Sequence, residues 1–337
     1  MSMITDVPAP SVEQRASFHS IGTRVLHVLY QHRVMSTDQL QRLLLPAASA
    51  SYLRRQLRGL LAAGLVQRIW ASHQPQAAGQ GERKTRRPTK PPYLWFLTEE
   101  GAQSVEDGGE LHPRPYRITP EAVAGARQLH TLAVNETGIA FVRHAARLGH
   151  ECGPLDWTPE VAHRIRDGQR RFEDDHVISD AVLSYVHVRR GQRAMMTLFL
   201  ELDRATMTAA RLAAKIAAYG RMHEYVPQHP DRARRSAAST RPAWQYTYPV
   251  FPRLLVVLDG RPSPTLASRL AARTEDLYTL TRADPRLSRL AGRLSIGVTT
   301  LQLLQERGPF EPIFTPLLRG TPEQRPPLTD LYLKTAQ

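Results

Sequence analysis

Cysteine is almost absent from this 337-residue sequence: Cys152 is the single example. No disulfide can therefore form within the chain, and a zinc site built on cysteines is not expected. There is also no apolar run of about 18 residues, the length that a membrane-spanning helix needs. Residues 1–14 lack the basic-then-apolar pattern of a signal peptide. We therefore expect a cytoplasmic protein with no membrane partner.

Several catalytic motifs are missing as well. The sequence has no GxxxxGK[ST] phosphate loop, no HExxH pair of zinc-binding histidines and no GxSxG nucleophile turn. ATP hydrolysis, zinc-peptidase chemistry and serine-hydrolase chemistry are therefore not expected.

What the sequence has in excess is positive charge. It carries 45 Lys and Arg against 31 Asp and Glu, which gives a formal net charge of +14. Such an excess favours a polyanionic partner, either nucleic acid or an anionic membrane surface. Most of it is arginine, which GC-rich coding also produces, so charge alone does not decide between a functional and a compositional origin.

The first hundred residues follow the element order of a winged helix-turn-helix. Apolar spacing predicts three helices, and two strand-like segments separated by a polar loop follow them. The helices are Phe18–His32, a second one capped by Ser36 or Thr37 and ending near Leu45, and Ala48–Ala63; the strands are Leu65–Trp70 and Tyr93–Leu97.

The charge within this unit suggests duplex DNA as its partner. Residues 50–97 hold nine Lys or Arg and a single acid, Glu82. An outward helix face with arginine suits the major groove, and a basic loop suits phosphates or the minor groove. The predicted DNA-binding residues are Tyr52, Arg54, Arg55 and Arg58 on the third helix, and Arg83, Lys84, Arg86, Arg87 and Lys90 in the loop. The alternative is a winged helix that contacts another protein.

The rest of the chain predicts a second domain of the α/β type with a mixed sheet, so that the whole chain mixes α+β and α/β features. We divide the chain into a flexible arm at 1–17, the winged-helix domain at 18–106, a linker at 107–127, the α/β domain at 128–307 and an extended tail at 308–337.

A predicted hairpin in the second domain brings two acids together. If its turn centres on Arg190 and Gly191, then Asp180 lies directly opposite Glu201, with Cβ atoms about 4.5–5.5 Å apart. Two carboxylates at that distance repel each other unless a cation or a proton lies between them. Carboxylates are ligands that Mg²⁺ prefers, so the pair predicts a divalent-metal site.

Three further residues complete this hypothesis. Lys215, on the helix after the hairpin, is predicted to lie near a scissile phosphate, and Asp203 and Glu136 are additional candidate metal ligands. Asp180, Glu201 and Lys215 are the candidate catalytic residues. The alternative is structural: Asp203 or Thr206 caps the following helix, and Glu201 pairs with Arg204 or Lys215.

The order of elements and the positions of these acids resemble the PD-(D/E)XK nuclease superfamily. That resemblance implies a restriction-endonuclease-like fold in which two acids hold Mg²⁺ and a lysine positions the attacking water. In this sequence Ser179 stands at the proline of the motif and Asp203 stands at its lysine, so Lys215 would have to supply the ammonium and Glu136 the extra acid that some members carry. The same residues are compatible with a degenerate nuclease that only holds DNA.

A second resemblance covers most of residues 20–225. It rests on Leu-x-x-Gly-Leu-Val-x-Arg at 61–68, Leu-Thr-x-x-Gly at 97–101, His-x-Leu-x-Val-Asn at 130–135, Ser-Asp-Ala at 179–181 and Glu-Leu-Asp-Arg-Ala-Thr at 201–206, followed by Lys215 and Tyr219. This set resembles the replication-relaxation family of plasmids and integrative elements. Ser179 and Ala205 depart mildly from the family's usual Pro-Asp-Ala and Glu-x-Asp-Arg-Gly-Thr.

These resemblances imply a DNA-binding protein of a mobile element that acts in plasmid replication or DNA relaxation and nicks DNA with Mg²⁺. Double-stranded DNA, a second copy of the chain and plasmid replication proteins are the expected partners. The alternative is a non-catalytic transcription or replication regulator whose α/β domain mediates dimerisation or partner binding.

Overall fold

The computed structural model describes residues 20–71, 92–113, 118–125, 127–168, 171–227, 241–320 and 326–333. The predicted arm and the basic loop residues Arg83, Lys84, Arg86, Arg87 and Lys90 lie outside these ranges.

The N-terminal unit combines four helices with a small antiparallel sheet. Its elements are α1 (Ile21–His32), β1 (Met35–Ser36), α2 (Thr37–Leu44), α3 (Ala50–Ala62), β2 (Val66–Trp70), β3 (Tyr93–Leu97) and α4 (Glu99–Asp107). The strand order is β1-β3-β2, with both pairs antiparallel. The three predicted helices and both predicted strands of this unit are present, with ends that differ by up to three residues.

Local sequence explains where these helices begin and end. Ser36 caps α2 by accepting the backbone N–H of Gln39, and the Gln39 side chain accepts the backbone N–H of Ser36 in return. Gly64, after α3, adopts a φ of 73°, which glycine tolerates best. At Gly101 a Cβ atom would lie 1.9 Å from the Leu65 carbonyl oxygen, so this position requires glycine.

The second part of the chain forms a six-stranded mixed sheet with helices on both faces. Its elements are α5 (Pro120–Ala124), α6 (Gln128–Leu148), β4 (Trp157–Arg164), α7 (Phe172–Asp175), β5 (His176–Arg189), β6 (Gln192–Asp203), α8 (Ala209–Glu224), β7 (Arg253–Leu258), α9 (Leu266–Ala283), α10 (Pro285–Arg289), β8 (Ile296–Thr300), α11 (Leu301–Glu306) and β9 (Thr315–Pro316). The strand order is β4-β5-β6-β7-β8-β9. Strands β6, β7 and β8 run parallel, and the outer pairs are antiparallel.

Two apolar layers cover this sheet. Helices α6 and α11 pack on one face, where Phe141 is fully buried, and helices α8 and α9 pack on the other, where Ile216 and Leu277 are fully buried. Alternate residues of β6 point into the two layers, so Leu200 belongs to the α6 side and Phe199 to the α8 side. Glu201 lies two residues after Phe199 and therefore faces α8.

The N-terminal unit and the sheet are joined by direct contacts. The His32 ring stacks on the indole of Trp157 with centroids 3.8 Å apart. The Asn135 side chain donates to the Val34 carbonyl at 2.8 Å. In the predicted linker, Val123 of α5 is buried in a cluster with Val34. One hydrophobic cluster includes residues from both parts of the chain.

The C-terminal segment differs from the extended tail that the sequence predicts. Strand β9 pairs with β8, and Phe314 and Leu317 are fully buried. Helix α11 precedes this segment and was not predicted. Because β9 continues the sheet beyond β8, and Phe314 and Leu317 belong to the two apolar layers, the segment belongs to the folded core. No helix in the described ranges is both long and apolar enough to cross a membrane.

Candidate functional site

The β5–β6 hairpin has the predicted register. Its strands pair from Ala181–Leu200 to Arg189–Gln192, and the turn residues Arg190 and Gly191 have φ values of 50° and 77°. Two consecutive left-handed residues are typical of a type I′ turn, whose twist matches that of the strands. One step beyond the last regular pair, this register sets Asp180 opposite Glu201.

Lys215 joins these two acids, which we call the carboxylate pair. Its Nζ atom lies 2.5 Å from Glu201 Oε2 and 3.2 Å from Asp180 Oδ1. Lys215 projects from α8, which covers this face of the sheet. The structure therefore brings the three candidate catalytic residues, Asp180, Glu201 and Lys215, into one cluster.

Asp180 lies at the more open side of the cluster. Its Oδ2 accepts the backbone N–H of Leu202 at 2.7 Å, and its Oδ1 lies 3.5 Å from His130 Nε2. The side chain is 17% exposed, compared with 37% for His130. Burial would raise the pKa of Asp180, but His130, Lys215 and the Leu202 N–H together lower it. The net effect favours the ionised form of Asp180.

Glu201 lies at the closed side. Its side chain is 2% exposed, and its Oε1 accepts a hydrogen bond from the Tyr219 hydroxyl. Burial and the adjacent Asp180 carboxylate raise the pKa of Glu201 well above its usual range, against the opposing effect of Lys215 and Tyr219. Burial lowers the pKa of Lys215, but the two carboxylates outweigh it and raise that pKa overall. The two acids thus have pKa values pushed in opposite directions, a pattern found in acid–base sites and in structural networks alike.

A polar chain extends this cluster into the core. The Tyr219 hydroxyl lies 3.0 Å from Ser179 Oγ, which in turn lies 3.1 Å from His163 Nε2. Burial lowers the pKa of His163 to about 4. Tyr219 stood out in the sequence only as part of the family resemblance, and no role was predicted for His163. A signal for Tyr219 was available, because it follows Lys215 by four residues and so lies on the same face of α8.

The other two candidate ligands have different partners. The Asp203 carboxylate is hydrogen-bonded by Arg273 Nε of α9 and is 1% exposed. The Glu136 carboxylate accepts hydrogen bonds from both terminal nitrogens of Arg42, at 3.0 and 2.5 Å, in the contact between α2 and α6. Helix α8 is capped by Thr208, whose Oγ accepts the backbone N–H of Arg211, rather than by Asp203 or Thr206.

The donor types at the carboxylate pair suit Mg²⁺, which protein sites often bind through one or two carboxylates together with water and substrate phosphate. Metal binding conflicts with the present position of Lys215, because its ammonium lies between the two carboxylates where a divalent cation would bind. Across the ranges listed for the fold, no group of three or more His, Cys, Asp or Glu side chains is arranged to hold a metal ion. A metal at this site would therefore require Lys215 to move towards the solvent.

A second candidate surface lies on the N-terminal unit. Leu53 and Leu57 of α3 are fully buried, whereas the predicted DNA-binding residues on the opposite face of the helix are exposed. Those residues are Tyr52, Arg54, Arg55 and Arg58. None of the three arginines forms an ion pair with an acid in the described part of the chain, and the Arg55 guanidinium lies 5.4 Å from the centre of the Tyr52 ring.

Helix α3 and the β2–β3 hairpin enclose a groove of about 330 Å³. We call this cleft the α3 groove; it is lined by Thr37, Ser51, Arg54, Arg58, Arg68, Tyr93 and Trp95. Arg68, Tyr93 and Trp95 were not among the predicted DNA-binding residues. Their signal was the alternation of residues along β2 and β3, which sets Arg68, Trp70, Tyr93 and Trp95 on one face of the hairpin.

Comparisons with known proteins bear on both surfaces. No curated protein and no solved structure matches the chain. A family model described as replication-relaxation matches residues 26–234, a range that includes α3, the α3 groove, the carboxylate pair and Lys215. Because this match covers more than half of the sequence, the chain belongs to the replication-relaxation family.

Proposed function

We propose that this protein binds duplex DNA through its N-terminal unit and acts in the replication or relaxation of a plasmid or another mobile element. The order of helices and strands from α1 to β3 is that of a winged helix-turn-helix, in which the helix corresponding to α3 enters the major groove. Membership of the replication-relaxation family supports a role in DNA metabolism.

The observation that carries this proposal is the exposed basic face of α3. Arg54, Arg55 and Arg58 project from it, and no carboxylate in the described part of the chain neutralises them. Guanidinium groups bind phosphate oxygens and guanine edges, and each phosphate contact releases counterions from DNA. An unpaired arginine face of this kind fits a polyanion.

The salt dependence of DNA binding tests this proposal. Replacing Arg54 and Arg55 together by alanine should weaken the binding of a labelled duplex and should reduce the slope of log K against log[salt] by about 2, because each lost phosphate contact removes about 0.9 from that slope. Fluorescence anisotropy over a salt series measures both quantities.

The matched control removes the same charge from a different helix. Arg143 and Arg147 are exposed on α6 and are spaced by one helical turn. Their double alanine variant should retain most of the affinity and nearly the full slope. If the α3 variant binds like the wild type, or if both variants lose affinity equally, α3 is not the DNA contact.

A second candidate function is Mg²⁺-dependent nicking of DNA. The convergence of Asp180, Glu201 and Lys215 favours it, because these are the residue types that phosphodiester hydrolysis uses. Asp180 and Glu201 would hold the ion, which would act as a Lewis acid on the phosphate. Lys215 would leave its position between the two carboxylates and lie near the scissile phosphate.

Supercoiled plasmid incubated with the protein and Mg²⁺ or Mn²⁺ tests this second function. Nicking that Glu201→Gln abolishes and Glu136→Gln preserves would support it, since Glu136 lies in the contact between α2 and α6. Absence of nicking on a bound cognate plasmid would instead favour a non-catalytic regulator, with the second domain used for dimerisation or partner binding.

A further inference from the structure

The hairpin that forms one wall of the α3 groove carries a continuous stack of planar groups, which begins at Trp95 and Arg68 in the groove lining and ends at Trp70 beyond that lining. Strand pairing sets Trp70 beside Tyr93 and Arg68 beside Trp95. The Trp70 and Tyr93 rings stack with centroids 3.9 Å apart and an interplanar angle of 27°. The Arg68 guanidinium lies 4.0 Å from the Tyr93 centroid and 5.5 Å from that of Trp95. Trp70, Tyr93, Arg68 and Trp95 are therefore in successive contact along the hairpin.

The two ends of this stack differ in their surroundings. Trp95 is 3% exposed, and its indole N–H donates to Thr37 Oγ1 at 2.9 Å, so it anchors the inner end. Trp70 is 47% exposed at the outer end, although the core of the unit is built from other residues. An indole fixed by stacking and open to solvent offers a large planar surface with little conformational freedom left to lose on binding.

The opposite wall supplies positive charge. Arg54 and Arg58 line the groove from α3, so three guanidinium groups, counting Arg68, border a cleft with no carboxylate in its lining. Thr37 and Ser51 add hydroxyl groups there. The groove and the adjoining outer face of Trp70 thus combine an exposed indole, which suits a planar base, with guanidinium groups, which suit a phosphate.

We propose that the α3 groove and its edge bind an unpaired nucleotide of a DNA strand, with the base stacked on the outer face of the Trp70 indole, opposite Tyr93, and the phosphate held by Arg54 and Arg58. This inference deepens the proposed DNA binding and rests on it. A base inside a duplex is already stacked on its neighbours, so only a nucleotide outside the duplex can present its face to the protein. The protein then prefers DNA with an unpaired segment next to a duplex.

Three probes isolate the stacking contribution. The first is a blunt duplex, the second is the same duplex with a thymidine overhang, and the third carries the same overhang as abasic sugars. The wild type should bind the thymidine overhang more tightly than the abasic one, because both present the same phosphates and only the first presents bases. Trp70→Ala should reduce the affinity for the thymidine overhang roughly five- to a hundredfold, as loss of base–aromatic stacking does, and should leave the blunt duplex unaffected.

Two further variants control the result. Phe172→Ala removes a ring that is also about half exposed and also stacks on a neighbour, the His176 imidazole at 4.0 Å, and it should change none of the three affinities. Trp70→Phe keeps a planar ring, so it should retain most of the preference for thymidine over abasic sugars. It should also lose the quenching of tryptophan fluorescence that the thymidine overhang causes in the wild type.

The outcomes separate this inference from the proposed duplex binding. Equal affinity of the wild type for thymidine and abasic overhangs, or an unchanged preference in Trp70→Ala, overturns base stacking even if the duplex is bound. Binding of the thymidine-overhang probe without binding of the blunt duplex supports base stacking at the groove and overturns the α3–duplex contact. Failure to bind any of the probes overturns both and leaves the groove to a protein partner.

Discussion

The Asp180 carboxylate accepts the backbone N–H of Leu202 at 2.7 Å, just beyond the last regular pair of the β5–β6 hairpin, Ala181 and Leu200. A side-chain oxygen of β5 therefore accepts the N–H of Leu202 in β6. This bond holds the Asp180 carboxylate against the sheet and directs its other oxygen towards Lys215. The backbone of the hairpin thus positions the Asp180 carboxylate beside Lys215.

Lys215→Met should lower the free energy of unfolding by about 3 kcal/mol, because it leaves two partly or fully buried carboxylates with no cation between them. The double variant Lys215→Met/Glu201→Gln should recover part of this loss, since it removes one of the two charges. Urea unfolding of both single variants, the double variant and the wild type gives the coupling energy. Purely additive losses would show that Lys215 and Glu201 do not stabilise each other.

His163 should make stability depend on pH between about 4 and 6.5. Its pKa in the folded protein is lowered to about 4 from the ordinary value of 6.5, because its ring is buried. The unfolded chain therefore takes up the proton first as pH falls, so the stability contributed by neutral His163 is complete above pH 6.5 and is lost towards pH 4. A pKa difference of this size corresponds to roughly 3 kcal/mol.

Unfolding measured across this pH range in His163→Phe tests the assignment. The variant should lose less stability on acidification than the wild type does, because it has no imidazole to protonate. His112→Phe is the control, since His112 is exposed, and its pH profile should match that of the wild type. A profile of His163→Phe parallel to the wild type over the whole range would contradict the burial of a neutral imidazole.

Two glycine-to-alanine changes in helices should have opposite signs. A Cβ atom at Gly138 of α6 would lie 2.5 Å from the Trp157 ring, so Gly138→Ala should destabilise the protein by about 1–3 kcal/mol through overpacking. Gly59 of α3 has nothing within 4 Å of that position, so Gly59→Ala should stabilise by about 0.5–1 kcal/mol. Thermal unfolding measures both, and a stabilising effect of Gly138→Ala would contradict the close approach of α6 to Trp157.

Glu136→Gln should destabilise the contact between the N-terminal unit and the sheet. Glu136 accepts from Arg42 and also from the side chains of Gln39 and Gln305, at 3.0 and 2.9 Å. Because it is about one-fifth exposed, we expect a loss of about 1–2 kcal/mol, in the range for hydrogen bonds to charged groups. Asp38→Asn is the control, because Asp38 also pairs with Arg42 but is 71% exposed, and it should cost less. Unchanged unfolding of Glu136→Gln would mean that this contact is not stabilising.

Features that depend on neighbouring residues were predictable. The turn at Arg190 and Gly191 follows from the glycine and from the alternation of the flanking strands. The start of α2 follows from Ser36 and Gln39, three residues apart. In each case the residues that decide the structure lie within a few positions of one another, so the pattern is visible in the sequence.

Features that depend on distant segments were not predictable. Asp203 was a candidate metal ligand, but its partner Arg273 lies on α9, 70 positions away. Glu136 was another, but Arg42, 94 positions earlier, accounts for its carboxylate. The C-terminal segment looked extended because it is rich in proline, yet β9 continues the sheet beyond β8 and its apolar neighbours Phe314 and Leu317 belong to the two apolar layers. Nothing in the local pattern of these residues indicates their partners.

The sequence by itself determined the family, the hairpin with its two opposed acids and the basic face of α3, because turn chemistry, alternation and helical spacing are local. Only the tertiary structure decided that the Lys215 ammonium lies between Asp180 and Glu201 and that Tyr219 joins them. It also decided that Arg68, Tyr93 and Trp95 of the hairpin face α3 across a groove. The reason is that burial sets the electrostatic strength of each charge, and burial depends on which distant helix packs over the sheet.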